Sequence, residues 1–448
     1  MIVPLWMSHA VRGTATSCLP VLVAFQAMKT CRRYVTLPHF SPTVHGLVNL
    51  AIRTSSYQYC AKYPPSSPLS IASGESQSEY ATLDVENNAA AMKLAVSRKG
   101  LDPMLNRFHA PIVYHEHYSF SDWPPNHTFP MDKFERLAHA LLTTCKATHP
   151  HTSLLPRPLV RSEEHFFRPL DMWDVPLKWF AEPTGPIDVD FLHRFLQGHL
   201  TETDGRFIGF REQTSRPELI RRTVLEVAGT VLAAQLAYNY GIASNVAGGT
   251  HHAHRKMGAG YTILNDFAIT ANFLTDEKLN GGSVRGIQRV LVIDCDVHQG
   301  DGTATFGDLG NGRLSTLSIH CASNYPRLKA HSTYDIGLRD GCTDDEYMEI
   351  LKTSVDKALD EVKPDFVLYD AGVDVYMHDK LGRLNVSEKG IRLRDRWVLE
   401  KCVMEGIPVA AVVGGGYDKD VDALARRHAI VHEECAYVWR KHNMWKGS

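Results

Sequence analysis

Residues 290–298 read Val290-Leu291-Val292-Ile293-Asp294-Cys295-Asp296-Val297-His298. Four apolar β-formers in a row, without polar alternation, predict a short strand buried on both faces. The abrupt change to carboxylate and imidazole marks its end. The same pattern recurs downstream. Residues 314–319 lead into His320, Phe366-Val367-Leu368-Tyr369 into Asp370-Ala371-Gly372-Val373-Asp374, and 408–413 into Gly414-Gly415-Gly416-Tyr417. Helical patterns lie between these runs: 343–362, where Thr343 and Glu346 are spaced as a capping box, and 387–405. Upstream, Leu219, Val224, Val227, Val231, Ala234 and Leu236 recur near helical spacing until Tyr240-Gly241 stops them. Short buried strands alternating with helices predict an α/β domain around a parallel sheet. In such sheets reactive groups collect outside the carboxyl ends of the strands, where all four loaded segments fall. Pro111-Ile112-Val113-Tyr114 is expected to be the first strand. Residues 150–190, rich in proline and aromatics without a period, read as a surface excursion or lid. No internal repeat is visible.

The chain has 448 residues, 44% of them hydrophobic, with a net charge of −2, enough for one large soluble domain with additions. That charge supplies no basic field, so direct nucleic-acid binding is not expected. Nine cysteines, an odd number without a CxxC pair, argue for a reducing compartment over a disulfide framework. No apolar run reaches the ~18 residues of a membrane-spanning helix, so no membrane span is expected. Residues 1–74 hold six basic side chains (Arg12, Lys29, Arg32, Arg33, Arg53, Lys62) and no acidic one. The other 42 of the 48 basic residues face 50 acidic ones, a net −8 over the remainder. An acid-free leader of this kind resembles a transit peptide and points to chloroplast or mitochondrion, with cytoplasm or nucleus as the alternative. The expected organisation is this leader, a linker over 75–109, a catalytic domain over 110–435 and a tail over 436–448.

The chemistry sits at the strand ends. Beyond a strand, Asp296 and His298 point the same way and can share one ligand, and carboxylate plus imidazole suits zinc or a similar divalent ion. Asp374, at the next loaded end, is the natural third ligand. In Gly248-Gly249-Thr250-His251-His252, glycines let the backbone take a tight path. One histidine can serve as general base and the other as a positive or hydrogen-bonding neighbour. Asp294 and Asp301 can each fix the tautomer of one histidine. Tyr417, presented after three glycines, can donate its O–H to a developing oxyanion. Each feature alone also has a plain reading as cap, turn or packing residue; together they converge on one edge.

These segments, with Gly258–Asp266, Asp379 and Leu381-Gly382-Arg383-Leu384, resemble the zinc-dependent histone deacetylases, in family order and closest to the class IV-like branch and its bacterial relatives. The resemblance runs from Pro111 to Glu433 and is strongest from Ile208 onward. It implies an arginase/deacetylase fold, a single domain around a parallel sheet of about eight strands. It implies Zn2+ (Fe2+ accepts the same set) on Asp296, His298 and Asp374, with no organic cofactor. His252 would be general base and then acid, His251 its electrostatic partner, Asp294 and Asp301 their orienting carboxylates, and Tyr417 the oxyanion donor. Gly260 and Tyr261 would line the tunnel for an acyl-lysine stem. A structural potassium (K+) would lie by Asp294, Asp296, His298 and Ser318. Tyr261 stands where phenylalanine is usual and Thr262 where cysteine is common, which bears on tunnel polarity and acyl length. Residues 161–190 match the family poorly. The activity implied is removal of acetyl or longer acyl groups from lysine side chains of proteins. The alternatives are an acetylpolyamine or other small acylated-amine deacetylase, a binuclear manganese ureohydrolase, and a non-catalytic acyl-lysine binder.

Overall fold

The computed structural model describes residues 108–143, 158–307 and 312–446. The leader at 1–74, and the linker up to 107, lie outside the described residues. Seven strands form one sheet: β1 (Ile112–Val113), β2 (Ile242–Asn245), β3 (Val290–Asp294), β4 (Leu314–Cys321), β5 (Tyr334–Leu338), β6 (Phe366–Asp370) and β7 (Val409–Val412). Among the described residues nine α-helices accompany them: α1 (Lys133–Leu142), α2 (Val189–Leu196), α3 (Glu202–Ile208), α4 (Pro217–Tyr240), α5 (Asp266–Thr275), α6 (Asp301–Ala304), α7 (Asp344–Val362), α8 (Glu388–Met404) and α9 (Val421–Lys441).

The strand order is β1-β2-β7-β6-β3-β4-β5 and every pairing is parallel. Parallel strands with helices on both faces need apolar side chains all along, and β2, β3, β6 and β7 are buried at every position. The chain leaves β2, builds β3 three places away, and later returns with β6 and β7 to fill the two positions between them. The crevice made by this reversal is where a ligand site belongs in an open α/β sheet.

The helix boundaries follow local chemistry. Pro217 opens α4 at a position that needs no N–H, and Gly241 ends it at φ 85°. The Thr343–Glu346 capping box opens α7, as the spacing predicts. Residues 387–405 form α8 with Ser387 capping the Gly390 N–H.

Four expectations need correction. The sheet has seven strands among the described residues rather than about eight; Phe167 adds only a single bridge to Val113. His320 lies within β4 rather than past its end, with its ring 3.0 Å from Ser318 Oγ. The described part of 150–190 is irregular yet not a surface excursion: Val160, Phe166, Val175, Trp179 and Phe180 are buried, and Trp179 packs on Phe273 at 4.9 Å between ring centroids. Burial of aromatics rewards a segment that has no repeating pattern as much as one that has. At the other end, α9 runs to Lys441, beyond the expected boundary at 435, because Val438 and Trp439 are fully buried. No described helix is long and apolar enough to cross a membrane.

Candidate metal and catalytic site

The site is assembled where β2, β3, β6 and β7 end. After β3 the chain turns tightly: the Asp296 N–H donates to Asp294 Oδ1 (3.1 Å) and the His298 N–H to Asp296 Oδ1 (2.9 Å). The Val297 N–H donates to Asp374 Oδ1 at 2.8 Å, tying the ends of β3 and β6 together. His298 Nδ1 then stands 3.0 Å from Asp296 Oδ1 and 3.1 Å from Asp374 Oδ2. All three side chains are buried, and their ligand atoms lie within 4.8 Å of one another. Bonds of ~2.0–2.2 Å from a divalent ion place adjacent donors about 3–3.5 Å apart, so the donor set fits zinc or Fe2+.

The backbone leaves room for that set. A Cβ on Gly415 would lie 2.3 Å from Asp374 Oδ2 and 2.4 Å from Asp296 Oδ2. Gly415 instead donates its N–H to Asp296 Oδ2 at 2.7 Å. Burial raises Asp374, the Asp296 carboxylate adds to it, and the group settles at about 6. Burial works against charge on His298, but hydrogen bonds to Asp296 and Asp374 outweigh it and carry the ring up to about 10.

The two histidines follow β2. Gly248 and Gly249 have φ of 93° and 87°, and a Cβ on Gly249 would meet Gly414 Cα at 2.6 Å, so the two loops can touch only because Gly249 has no side chain. Asp266, at the start of α5, pins this loop by accepting from the Gly249 N–H (3.0 Å) and the Thr250 N–H (2.9 Å). His251 Nδ1 pairs with Asp294 Oδ2 at 2.9 Å, and His252 Nδ1 with Asp301 Oδ1 at 2.6 Å. Each histidine is thus paired with its own carboxylate. Burial and then the charge of His251 push His252 down to about 4, which keeps it neutral at physiological pH. Burial also opposes charge on His251, but Asp294 and Asp296 outweigh it and raise its pKa well above the usual value.

Tyr417 is held from three sides. Its N–H donates to Asp379 Oδ2 (2.7 Å), Gly415 is tied to Asp296, and the buried Lys133 donates from Nζ to Gly414 O (2.9 Å). Its ring lies 6.3 Å from that of His298, nearly perpendicular. Burial first, and the carboxylates of Asp296 and Asp374 second, raise its pKa far above ordinary, so the O–H remains a donor. Gly260 and Tyr261 both have positive φ, 52° and 65°. A Cβ on Gly260 would lie 2.4 Å from His252 Cδ2, so the backbone itself presses on the general-base candidate. Tyr261 stacks on Phe210 (5.6 Å, 26°) and faces Tyr417 at 5.9 Å. Ser318 pairs with Asp294 across β3 and β4, adjacent to the expected potassium position.

Sequence reasoning missed several participants. Tyr325 stands edge-on to His252 at 4.8 Å and remains 42% exposed, forming part of the mouth. Its position just past a loaded strand is the signal that could have found it. Lys133 lies 281 residues from the carbonyl it holds, and no local pattern reveals that. Arg394, fully buried on α8, donates to the carbonyls of Cys295 (3.1 Å), Gly372 (2.7 Å) and Ala371 (3.1 Å), bracing both ligand-bearing turns from below. A cavity is lined by Tyr417, Gly249 and Asp296 together with Lys133, Arg222 and Glu226.

A profile of the histone deacetylase domain matches residues 189–433. The chain is 39% identical over 330 residues to an uncharacterized protein of Picosynechococcus sp., covering 73% of this chain and 99% of that one. It is 34% identical to histone deacetylase 2 of Arabidopsis thaliana, over 43% of this chain and 49% of that protein. Against the acetoin utilization protein AcuC of Staphylococcus aureus the identity is 26%, over 51% and 61% of the respective chains. The match thus spans about half the length of the Arabidopsis deacetylase. The matched profile begins at α2 and ends within α9, enclosing the aspartate–histidine trio, both histidine–aspartate dyads and the Tyr417 loop, and the chain belongs to the histone deacetylase family.

Proposed function

We propose that the chain hydrolyses acyl-lysine amides of proteins with a bound divalent metal, zinc or Fe2+. The observation that carries this reading is the pairing of a neutral, Asp301-bound His252 with the Asp296–His298–Asp374 trio in one buried crevice. The metal, when bound, supplies Lewis-acid polarisation of the amide carbonyl and of the attacking water. The rest falls to the protein. His252 takes the proton of the attacking water at Nε2 while Asp301 steadies the charge that appears on the ring. Tyr417 donates its O–H to the oxygen that becomes negative. His252 then returns the proton to the departing amine nitrogen. His251, held by Asp294, keeps a positive charge beside the reacting centre, and Gly260, Tyr261 and Tyr325 enclose the stem.

Two further features shape the substrate. The loop after β4 sets Tyr325 against His252, and the residues that follow it, through Lys329, include Arg327 and Lys329 and no carboxylate. A polycationic amine gains nothing there, which favours a protein acyl-lysine over an acetylpolyamine. The cavity beside Tyr417 has the charged side chains of Lys133, Arg222 and Glu226 in its lining, and burial lowers Lys133 to about 8. That lining suits a short acyl group and disfavours a long alkyl chain. A potassium ion beside Asp294, Asp296, His298 and Ser318 remains part of the reading. So does delivery of the mature chain to chloroplast or mitochondrion by residues 1–74.

The test is a panel of acetyl-, butyryl- and myristoyl-lysine peptides beside acetylated spermidine, with metal-loaded protein. Turnover of acetyl-lysine above the other three is expected. Preference for the polyamine would move the reading to small amines, and preference for myristoyl-lysine would overturn the short-acyl assignment.

A further inference from the structure

The run His251-His252-Ala253-His254 carries three histidines, and the proposed chemistry uses two of them. The third is engaged on both sides. His254 Nε2 lies 3.3 Å from Asp301 Oδ2, while His252 Nδ1 lies 2.6 Å from Oδ1 of the same carboxylate. On its far side His254 Nδ1 lies 3.4 Å from Thr305 Oγ1. That hydroxyl spends its one proton on Gly302 O at 2.6 Å, so it offers His254 lone pairs only. Asp301 is an acceptor only as well. Burial opposes its charge, but hydrogen bonds from His252 and then His254 outweigh burial and hold the carboxyl well below the usual range. Both contacts of His254 are therefore made when its ring donates from both nitrogens, as imidazolium does.

From this geometry we infer that His254 is a positioning residue for the base: it anchors Asp301 Oδ2 so that Oδ1 stays aimed at His252 Nδ1. The inference rests on the reading of His252 as the base. Asp301 and Thr305 are four residues apart on the turn α6, so they share a face, and His254 bridges them. The backbone around the bridge is fixed. The His254 N–H donates to Met257 O (2.8 Å), and Asn265 Nδ2 holds Ala253 O (2.9 Å). A Cβ on Gly302 would lie 2.4 Å from Ala253 O and 2.5 Å from His252 C, so α6 presses directly on the strip of chain between the two rings.

Neighbouring cations do not do this work. Arg255 is paired with Glu182, Lys256 lies 3.5 Å from Asp188, and Lys329 donates to the carbonyls of Asn324 and Pro326. A carboxylate gripped at one oxygen is free to swing about its side-chain bonds, and donors on opposite oxygens fix its plane. The His254 side chain is 25% exposed against 5% for His252, so the hydrogen-bonded chain His252–Asp301–His254 runs from the buried base to the solvent edge. Acting through Asp301 alone, His254 should affect turnover and leave substrate binding untouched.

The experiment compares metal-loaded full-length wild type with His254→Ala and His254→Gln. It reads kcat and KM on an acetyl-lysine peptide, recovery with added imidazole, and the His252 Nδ1 proton resonance in histidine-labelled protein. His254→Ala should lower kcat about tenfold with KM unchanged, the lower end of what loss of an orienting partner costs. The His252 resonance should shift or broaden. Imidazole should restore part of the loss, and the amide N–H of His254→Gln should recover most of it. Thr305→Val, which removes only the far acceptor, should move the same resonance by less and serves where His254→Ala fails to fold. Wild-type kcat and an unmoved resonance in His254→Ala would overturn the inference, and so would a loss expressed as a raised KM. The hydrolase reading fails separately: wild type without turnover sinks that reading, while a resonance moved by His254→Ala still establishes the link through Asp301.

Discussion

Two buried clusters of identical composition lie side by side in this protein: Asp296–His298–Asp374 and His251–Asp294–Asp370. Each offers two carboxylates and one imidazole, and they differ in what the backbone does around them. In the first, N–H groups of Val297, His298 and Gly415 hold the carboxylates, so the donor set is fixed before any ion arrives. In the second, Asp294 is held by one N–H and by His251, while Asp370 is held by nothing. Composition alone does not distinguish a preorganised centre from a permissive one; the pattern of backbone donors does.

If the first cluster is the reactive one, damaging it should have the largest effect. His298→Ala should reduce acyl-lysine turnover to background, and metal analysis should show loss of the bound ion with near-ultraviolet dichroism retained. His252→Ala leaves both clusters intact and removes only the base, so kcat should fall roughly 10²–10⁴-fold with little change in metal content. Tyr417→Phe removes one oxyanion donor and should cost about 10²–10³ in kcat, with KM nearly unchanged. Asp301→Asn disturbs only the orientation of His252 and should cost roughly 10–100-fold.

The smallest effect is the one that reads the second cluster. His252 must be neutral to act as base, so activity falls as pH drops through its pKa. Burial and the charge of His251 hold that pKa down, at about 4, below the ordinary histidine range. The acid limb of kcat/KM should therefore lie below pH ~6.5. Neutralising His251, as His251→Ala, should move the limb to higher pH. A limb that stays in place would show that His251 exerts no charge on its neighbour.

Much of this was legible in the sequence, and for a physical reason. Buried parallel strands write themselves as apolar runs, and their ends must carry the chemistry. Asp296, His298, Asp374, His251, His252 and Tyr417 therefore announced themselves by position, and the structure brings all six to one edge. The helices at 217–240 and 344–362 were equally plain, since proline, glycine and a capping box mark their ends. What stayed hidden depends on contacts across long sequence distances. Lys133 looks like any helix lysine until Gly414 arrives above it. Asp370 was visible as a loaded residue, but the lack of donors around it is a property of three loops together. Residues 158–188 gave no period because they bury aromatics one at a time, through turns.

The most direct test of the central claim is acetate release from an acetyl-lysine peptide by three preparations: metal-stripped protein, the same protein reloaded with zinc or Fe2+, and reloaded Asp374→Asn. The account predicts turnover only in the reloaded wild type. Equal turnover in the stripped protein, or full activity in Asp374→Asn, would contradict it.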